Sequence, residues 1–172
     1  MAEQNNPHLT LCTLAVLIEN KAGALSRLVG LFSQRGYNIE SLAVAPTSQT
    51  GISRLTLTTY ESAKAMEQIK KQVNKLVDVI KIQDMTTPAS LERELLLLKL
   101  KPSPRRRRDV EAICKAFNTQ IIDVFEGGYT VQLIGTMQKI DNLIELLRED
   151  EIAELVRSGS CALRKGSKVL EI

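Results

Sequence analysis

Hydrophobic positions along this chain alternate between two periods. Leu9 to Ile18 is apolar at nearly every position, which predicts a strand covered on both faces. Glu19-Asn20-Lys21-Ala22-Gly23 reads as a turn. Leu25, Leu28, Val29 and Phe32 then recur at i, i+3, i+4 and i+7, the stripe of an amphipathic helix, and Gly36 ends it as a C-terminal cap. Asn38 to Ala45 is a second strand, closed by Pro46, and Thr47–Gly51 is a hairpin loop. Ile52 to Thr59 is a third strand. Met66, Ile69, Val73 and Leu76 mark a second helix, and Val77 to Ile82 a fourth strand. The order is β-α-β-β-α-β, the ferredoxin-like arrangement.

Thr86-Thr87-Pro88-Ala89-Ser90 has the composition of a linker, and the same order recurs beyond it. Leu95 to Leu100 is a strand, broken by Pro102-Ser103-Pro104. Val110, Ile113, Cys114 and Phe117 line a helix. Ile121–Phe125 and Tyr129–Ile134 flank the tight-turn pair Gly127-Gly128. Ile140, Leu143, Ile144 and Leu147 mark another helix, Ile152 to Val156 a final strand, and Ser158-Gly159 a turn before a short tail pairing. The fold class expected is α+β, with two tandem ferredoxin-like βαββαβ units. The boundaries are a loosely ordered tail at 1–8, a first domain at 9–85, a linker at 86–91 and a second domain at 92–172. Each unit sets helices on one face of its sheet and leaves the other bare, so association with another chain is expected.

Composition narrows the function. The 172 residues suffice for one or two small domains. With no Trp and 3% aromatics the cores must be aliphatic. A net charge of +3 does not call for a polyanion, and the one basic run, Arg105–Arg108, has no interleaved aromatics on which bases could stack. It reads as a solvated helix start or a protein-docking patch, not a nucleic-acid site. Cys12, Cys114 and Cys161 form no Cys-x-x-Cys pair and read as small core residues, reduced as in the cytoplasm. The polar first residues are no signal peptide, and no apolar run is long enough to span a membrane.

Catalytic chemistry is not apparent. The single histidine, His8, lies in the tail, and no Gly-x-Gly-x-x-Gly, Walker A or Gly-Asp-Gly motif is present. The acids read as solvent-facing and unpaired, so no catalytic residue and no metal site are expected. The informative stretch is Ile18 to Arg27. A helix opening at Gly23 presents the amides of Gly23, Ala24 and Leu25 with the positive end of the dipole behind them, a setting for a small carboxylate. Asn20 before the turn and Asn38, placed on the same rim, offer carbonyl oxygens to an ammonium, and Leu25, Ile39 and Leu42 offer apolar walls. Such a set suits a free aliphatic amino acid. Asn20 and Gly23 can equally be turn formers and Ser26 a cap; spacing does not decide. Lys21 and Arg27 read as solvated.

The residues Leu17-Ile18-Glu19-Asn20, Gly23-Ala24-Leu25-Ser26-Arg27 and Leu31 to Leu42 resemble the opening of an ACT domain, an amino-acid-binding module, in the form found in acetolactate synthase small subunits. Ser53-Arg54-Leu55-Thr56, Gln72 to Val79, Glu92-Arg93-Glu94-Leu95, Ile121–Val124 and Arg157-Ser158-Gly159 extend the resemblance over the chain after Leu9. It implies a regulatory, non-catalytic subunit of branched-chain amino acid biosynthesis that dimerises through its ACT domains. Valine would bind at their seam, with Gly23, Ala24 and Leu25 holding its carboxylate, Asn20 and the second chain's Asn38 its ammonium, and Ile39 lining the pocket. It further implies a catalytic large subunit, carrying thiamine diphosphate, a divalent metal (magnesium) and FAD, that condenses two pyruvates and is activated by the small subunit and feedback-inhibited by valine. This chain itself would hold no cofactor. A stand-alone amino-acid-sensing ACT regulator is the rival reading. The four-arginine run and Gly127-Gly128 depart from the family pattern. The second copy lacks a Gly-Ala-Leu-Ser equivalent, so it is not expected to bind valine.

Overall fold

The computed structural model describes residues 9–86 and 89–171. The predicted tail at 1–8 and part of the predicted linker, Thr87 and Pro88, lie outside the described residues. The described chain forms two compact units, one running up to Leu91 and taking in the segment from Cys161 onward, the other spanning Glu92–Ser160.

In the first unit the elements are β1 (Thr10–Glu19), α1 (Ala24–Gln34), β2 (Ser41–Pro46), β3 (Ile52–Glu61), α2 (Ala63–Val73) and β4 (Val79–Asp84). The sheet order is β2-β3-β1-β4, and every neighbouring pair is antiparallel. Strand alternation sends Leu14, Val16, Leu55 and Leu57 to the helix side, where they bury against Leu28 and Phe32 of α1 and Met66, Ile69 and Val73 of α2. Gly36, at φ +72, closes α1: its amide donates to the Ser33 carbonyl and that of Tyr37 to the Phe32 carbonyl, a Schellman ending. Helix α2 is capped by Ser62, whose Oγ accepts from the Ala65 amide at 3.2 Å.

The second unit repeats the order with β5 (Ser90–Leu100), α3 (Arg107–Ala116), β6 (Gln120–Phe125), β7 (Gly128–Gly135), α4 (Met137–Glu145) and β8 (Ile152–Arg157) in a sheet ordered β6-β7-β5-β8. Its core is Leu96, Leu98, Leu100, Val131 and Leu133 against Val110, Cys114, Ile140 and Leu143. Gly127 turns the β6–β7 hairpin at φ +82. Gly128 is required for a different reason: a β-carbon there would collide with the Leu100 carbonyl and the Phe125 ring. The α+β class and paired ferredoxin-like units are therefore as the sequence indicates.

Four expectations change. The open face of the first sheet is not bare: Ala15 and Met85 are buried there together with Ala162, and Leu170 packs against them. That segment, with β9 (Cys161–Arg164), belongs to the first unit, whereas the sequence pattern ran the second domain through to 172. Arg54 donates to the Ala162 carbonyl at 2.6 Å, Arg164 to that of Asp84 at 3.3 Å, and the Lys165 amide to that of Ala89 at 2.7 Å. Cys12 and Cys114 are buried as expected, but Cys161 is exposed. Finally, three acids are neither exposed nor unpaired. Asp78, Glu94 and Glu151 are all buried, and each meets an arginine.

Candidate functional site

The turn between β1 and α1 is held from both sides. The Asn20 amide donates to the Gly51 carbonyl at 2.8 Å, and the Glu19 amide donates to the Asp78 carbonyl at 2.9 Å. Gly23 is the N-cap of α1 and sits at φ +84, ψ −15, a left-handed conformation that leaves glycine unstrained. No side chain caps this helix, so Ser26 does not serve as one. The Ala24 amide donates to the Lys21 carbonyl at 3.3 Å, closing the turn. Among the described residues the amides of Gly23 and Leu25 have no partner. The predicted cradle is thus narrower by one donor, and two amides remain at the positive end of the helix dipole.

A cleft of about 240 Å³ opens beside this turn. Asn20, Ala24 and Leu25 line it, together with Ile18, Val44 and Pro46. Gly23 instead faces a neighbouring groove along α1, with Ser26, Arg27, Gly30 and Leu76. Asn38 and Ile39 are elsewhere. Residue Glu19 pairs with Ile52 at one end of the β1–β3 ladder and Thr10 with Glu61 at the other. Asn38 lies at the second end, where its carbonyl accepts from Thr59 Oγ1 at 2.6 Å and its side-chain amide donates to Glu40 at 2.6 Å. Ile39 packs against the first core. The expectation that Asn20 and Asn38 share a rim is corrected: α1 has 11 residues and, at 1.5 Å per residue, carries the chain roughly 16 Å to the opposite end of the sheet.

Asp78 organises the charge around the turn. Its side chain is 1% exposed and accepts from Arg27 Nε at 2.5 Å, with Lys21 Nζ at 3.0 Å. Lys21 also pairs with Glu19. Neither cation is simply solvated, contrary to the sequence reading. The Arg27 hydrogen bond, reinforced by Lys21, holds the Asp78 carboxyl down at about 2; Asp78 in turn raises Arg27, and Glu19 together with Asp78 raises Lys21. Asp78 was missed because its partners lie far away in sequence; the one signal was a lone acid between two valines at the mouth of β4.

The second unit contains the same device. Glu151, just before β8, is buried and accepts from Arg106 Nε at 2.8 Å, which lowers its pKa. The Lys101 amide donates to the Glu151 carbonyl at 2.9 Å, as Glu19 does to Asp78. Both β1–β4 and β5–β8 change register near the end of the first strand, at Leu17/Ile18 and at Lys99/Leu100. The helix start differs, however. Arg106 precedes α3 in an ordinary right-handed conformation, and the Arg107 amide is taken by the Ser103 carbonyl at 3.0 Å. The open, glycine-led amides belong to the first unit's helix start.

No cluster of ligating side chains able to hold a metal occurs among the described residues. No helix among them is long and apolar enough to cross a membrane.

Comparison with known proteins agrees along the chain. Residues 14–81 match the family described as AHAS small subunit-like ACT domain, and residues 93–166 match that described as small subunit of acetolactate synthase. The acetolactate synthase isozyme 3 small subunit of Salmonella typhimurium is 48% identical over 158 residues, covering 91% of this chain and 97% of that protein. The acetolactate synthase small subunit of Haemophilus influenzae is 46% identical, covering 90% and 96%. The crystal structure of the small subunit from Thermotoga maritima superposes with a TM-score of 0.82 at 30% identity, covering 92% of this chain and 99% of that one.

Proposed function

This chain belongs to the acetolactate synthase small-subunit family, and from that premise we propose that it activates the catalytic large subunit and makes it sensitive to inhibition by valine. The observation that carries the reading is the start of α1: two unpartnered amides at a left-handed glycine, beside an aliphatic cleft bearing Asn20. Amides and dipole suit a carboxylate, an asparagine carbonyl suits an ammonium, and Ile18, Leu25, Val44 and Pro46 suit a short branched side chain.

The remaining predicted residues enter through a second copy. Strand β2 is at the edge of its sheet, and Val44 on it is 47% exposed. An isologous, antiparallel pairing of two such edges sets the start of one β2 beside the end of the other. Asn38 and Ile39 of one protomer then approach the Pro46 end of its partner, next to the partner's helix start. Residues at opposite ends of one sheet thereby converge across a two-fold seam. Thiamine diphosphate, magnesium and FAD belong in this reading to the catalytic chain, whose condensation of two pyruvates serves branched-chain amino acid synthesis in the cytoplasm.

Valine bridging that seam can inhibit only through a preference for the less active state of the complex. A coupling of about 1–3 kcal/mol suffices for a several-fold effect. The test is reconstitution. Purified chain added to an acetolactate synthase catalytic subunit with pyruvate, thiamine diphosphate, magnesium and FAD should raise activity, valine should reverse the gain, and calorimetry should detect valine binding to the chain alone. Activity unchanged by the chain, or inhibition by valine with no binding to it, would overturn the proposal.

A further inference from the structure

Among the described residues, three of the four arginines at the start of α3 have no acid paired with them. Arg106 is accounted for: it pairs with buried Glu151 at 2.8 Å and with Asp109 at 2.9 Å. Arg105, Arg107 and Arg108 are exposed and form no ion pair among the described residues. The N-terminal end of a helix is its positive pole and favours carboxylates, so three unpaired cations there oppose the dipole. The single acid of the first turn, Asp109, is already engaged by Arg106. Successive helix residues project about 100° apart, so Arg107 and Arg108 spread their charge over a wide face of the helix start. They suit a broad anionic surface.

A second feature lies on the same end of the unit. Val124 on β6 is 72% exposed; it pairs with Tyr129, which pairs in turn with Leu100, the residue before the turn into α3. Strand β6 is an edge strand, and Ile121, further along it, is also exposed. A bare apolar edge flanked by unpaired cations has the make-up of a protein interface, with an apolar centre and a charged rim.

We propose that Arg105, Arg107 and Arg108, with the β6 edge at Val124, form the surface on which an acidic segment of the catalytic subunit docks. The inference rests on the functional reading above, because family membership supplies the catalytic partner. A protein is favoured over a nucleic acid because no aromatic side chain interleaves the run to stack bases.

The test compares the wild-type chain with R105E/R107E/R108E, which leaves the Arg106–Glu151 pair intact. Binding to the purified catalytic subunit is measured by sedimentation over a range of salt, and activation is titrated in parallel. The triple variant should bind about tenfold more weakly or worse at low salt, with a flattened salt dependence, because like charges then oppose the acidic segment. Its calorimetric valine binding and its circular dichroism melting curve should match wild type. The charge-neutral R105Q/R107Q/R108Q should fall between the two. Equal affinity and equal salt slope for wild type and both variants would overturn the docking surface while leaving the functional reading in place. So would a duplex DNA probe bound by the wild type and lost by the triple variant with subunit affinity unchanged. A wild-type chain that neither binds nor activates the catalytic subunit would overturn the functional reading itself.

Discussion

Gly23 concentrates the chemistry of the first helix start in one position. A β-carbon there would lie 2.9 Å from Arg27 Nη1, at a backbone φ of +84. Gly23→Ala should therefore fold with a loss of about 1 kcal/mol in thermal or denaturant melts, the cost of a side chain in the left-handed region. Gly23→Asp should do more, because its carboxylate would sit at the amides and beside Arg27. Inhibition curves are expected to show valine sensitivity lost with activation retained. A variant that still binds valine normally would remove Gly23 from the site. Asp78 makes a pH prediction. Its folded pKa, about 2, lies below the ordinary aspartate value of 3.8, so its charge stabilises the fold above that value. The contribution is lost as pH falls from 3.8 towards 2. Asp78→Asn should flatten the acid limb of a stability–pH profile in that window and leave the alkaline side unchanged.

Elements were legible to different degrees, and the reasons are physical. Helix α1 followed from its stripe: of Leu25, Leu28, Val29 and Phe32, Leu28 and Phe32 are buried and Leu25 packs at the core margin, whereas Val29 is exposed and Ala24 completes the buried face. Strand β4 was shifted by two residues because Val77, apolar in sequence, is 83% exposed, and the strand begins only after Asp78. Strand β5 begins well before the Leu95–Leu100 run, where its residues alternate in exposure and carry charge. The ion pairs between elements left no local trace. Glu94 on β5 and Arg157 on β8 stood in separate stretches of sequence, yet Arg157 grips Glu94 through two hydrogen bonds of 2.9 Å and reaches Asp141 on α4 at 2.6 Å. This pairing raises the Arg157 pKa. Arg157→Ala would leave Glu94 buried and uncompensated, and urea melts should register a loss of about 3 kcal/mol. Arg157→Lys should recover only part, since an ammonium cannot reproduce the bidentate grip.

At the scale of the whole molecule, the duplication was visible in the recurring strand–helix order, but the path of the last segment was not. Cys161–Ile172 is short, polar and poor in periodic apolar positions, so nothing in it announced that Ala162 and Leu170 would pack with Ala15 and Met85. The candidate site was legible as a list and not as a place, because spacing gives no direction to the helix between Asn20 and Asn38. A chain truncated after Ser160 should lose the cover over Ala15 and Met85. It should melt at lower temperature and bind more of the apolar dye ANS than the full chain, and Met85→Ala in the full chain should cost about 2 kcal/mol or more.

Because β9 and the residues after it complete a unit whose other elements all precede Glu92, that unit cannot close until Glu92–Ser160 has been made. On the ribosome, the strands built around Ala15 would wait, one side uncovered, through the synthesis of everything from Glu92 to Ser160. The second unit can mature before the first is sealed. A stop placed at Cys161 should therefore damage the first unit more than the Glu92–Ser160 unit that precedes it in the chain.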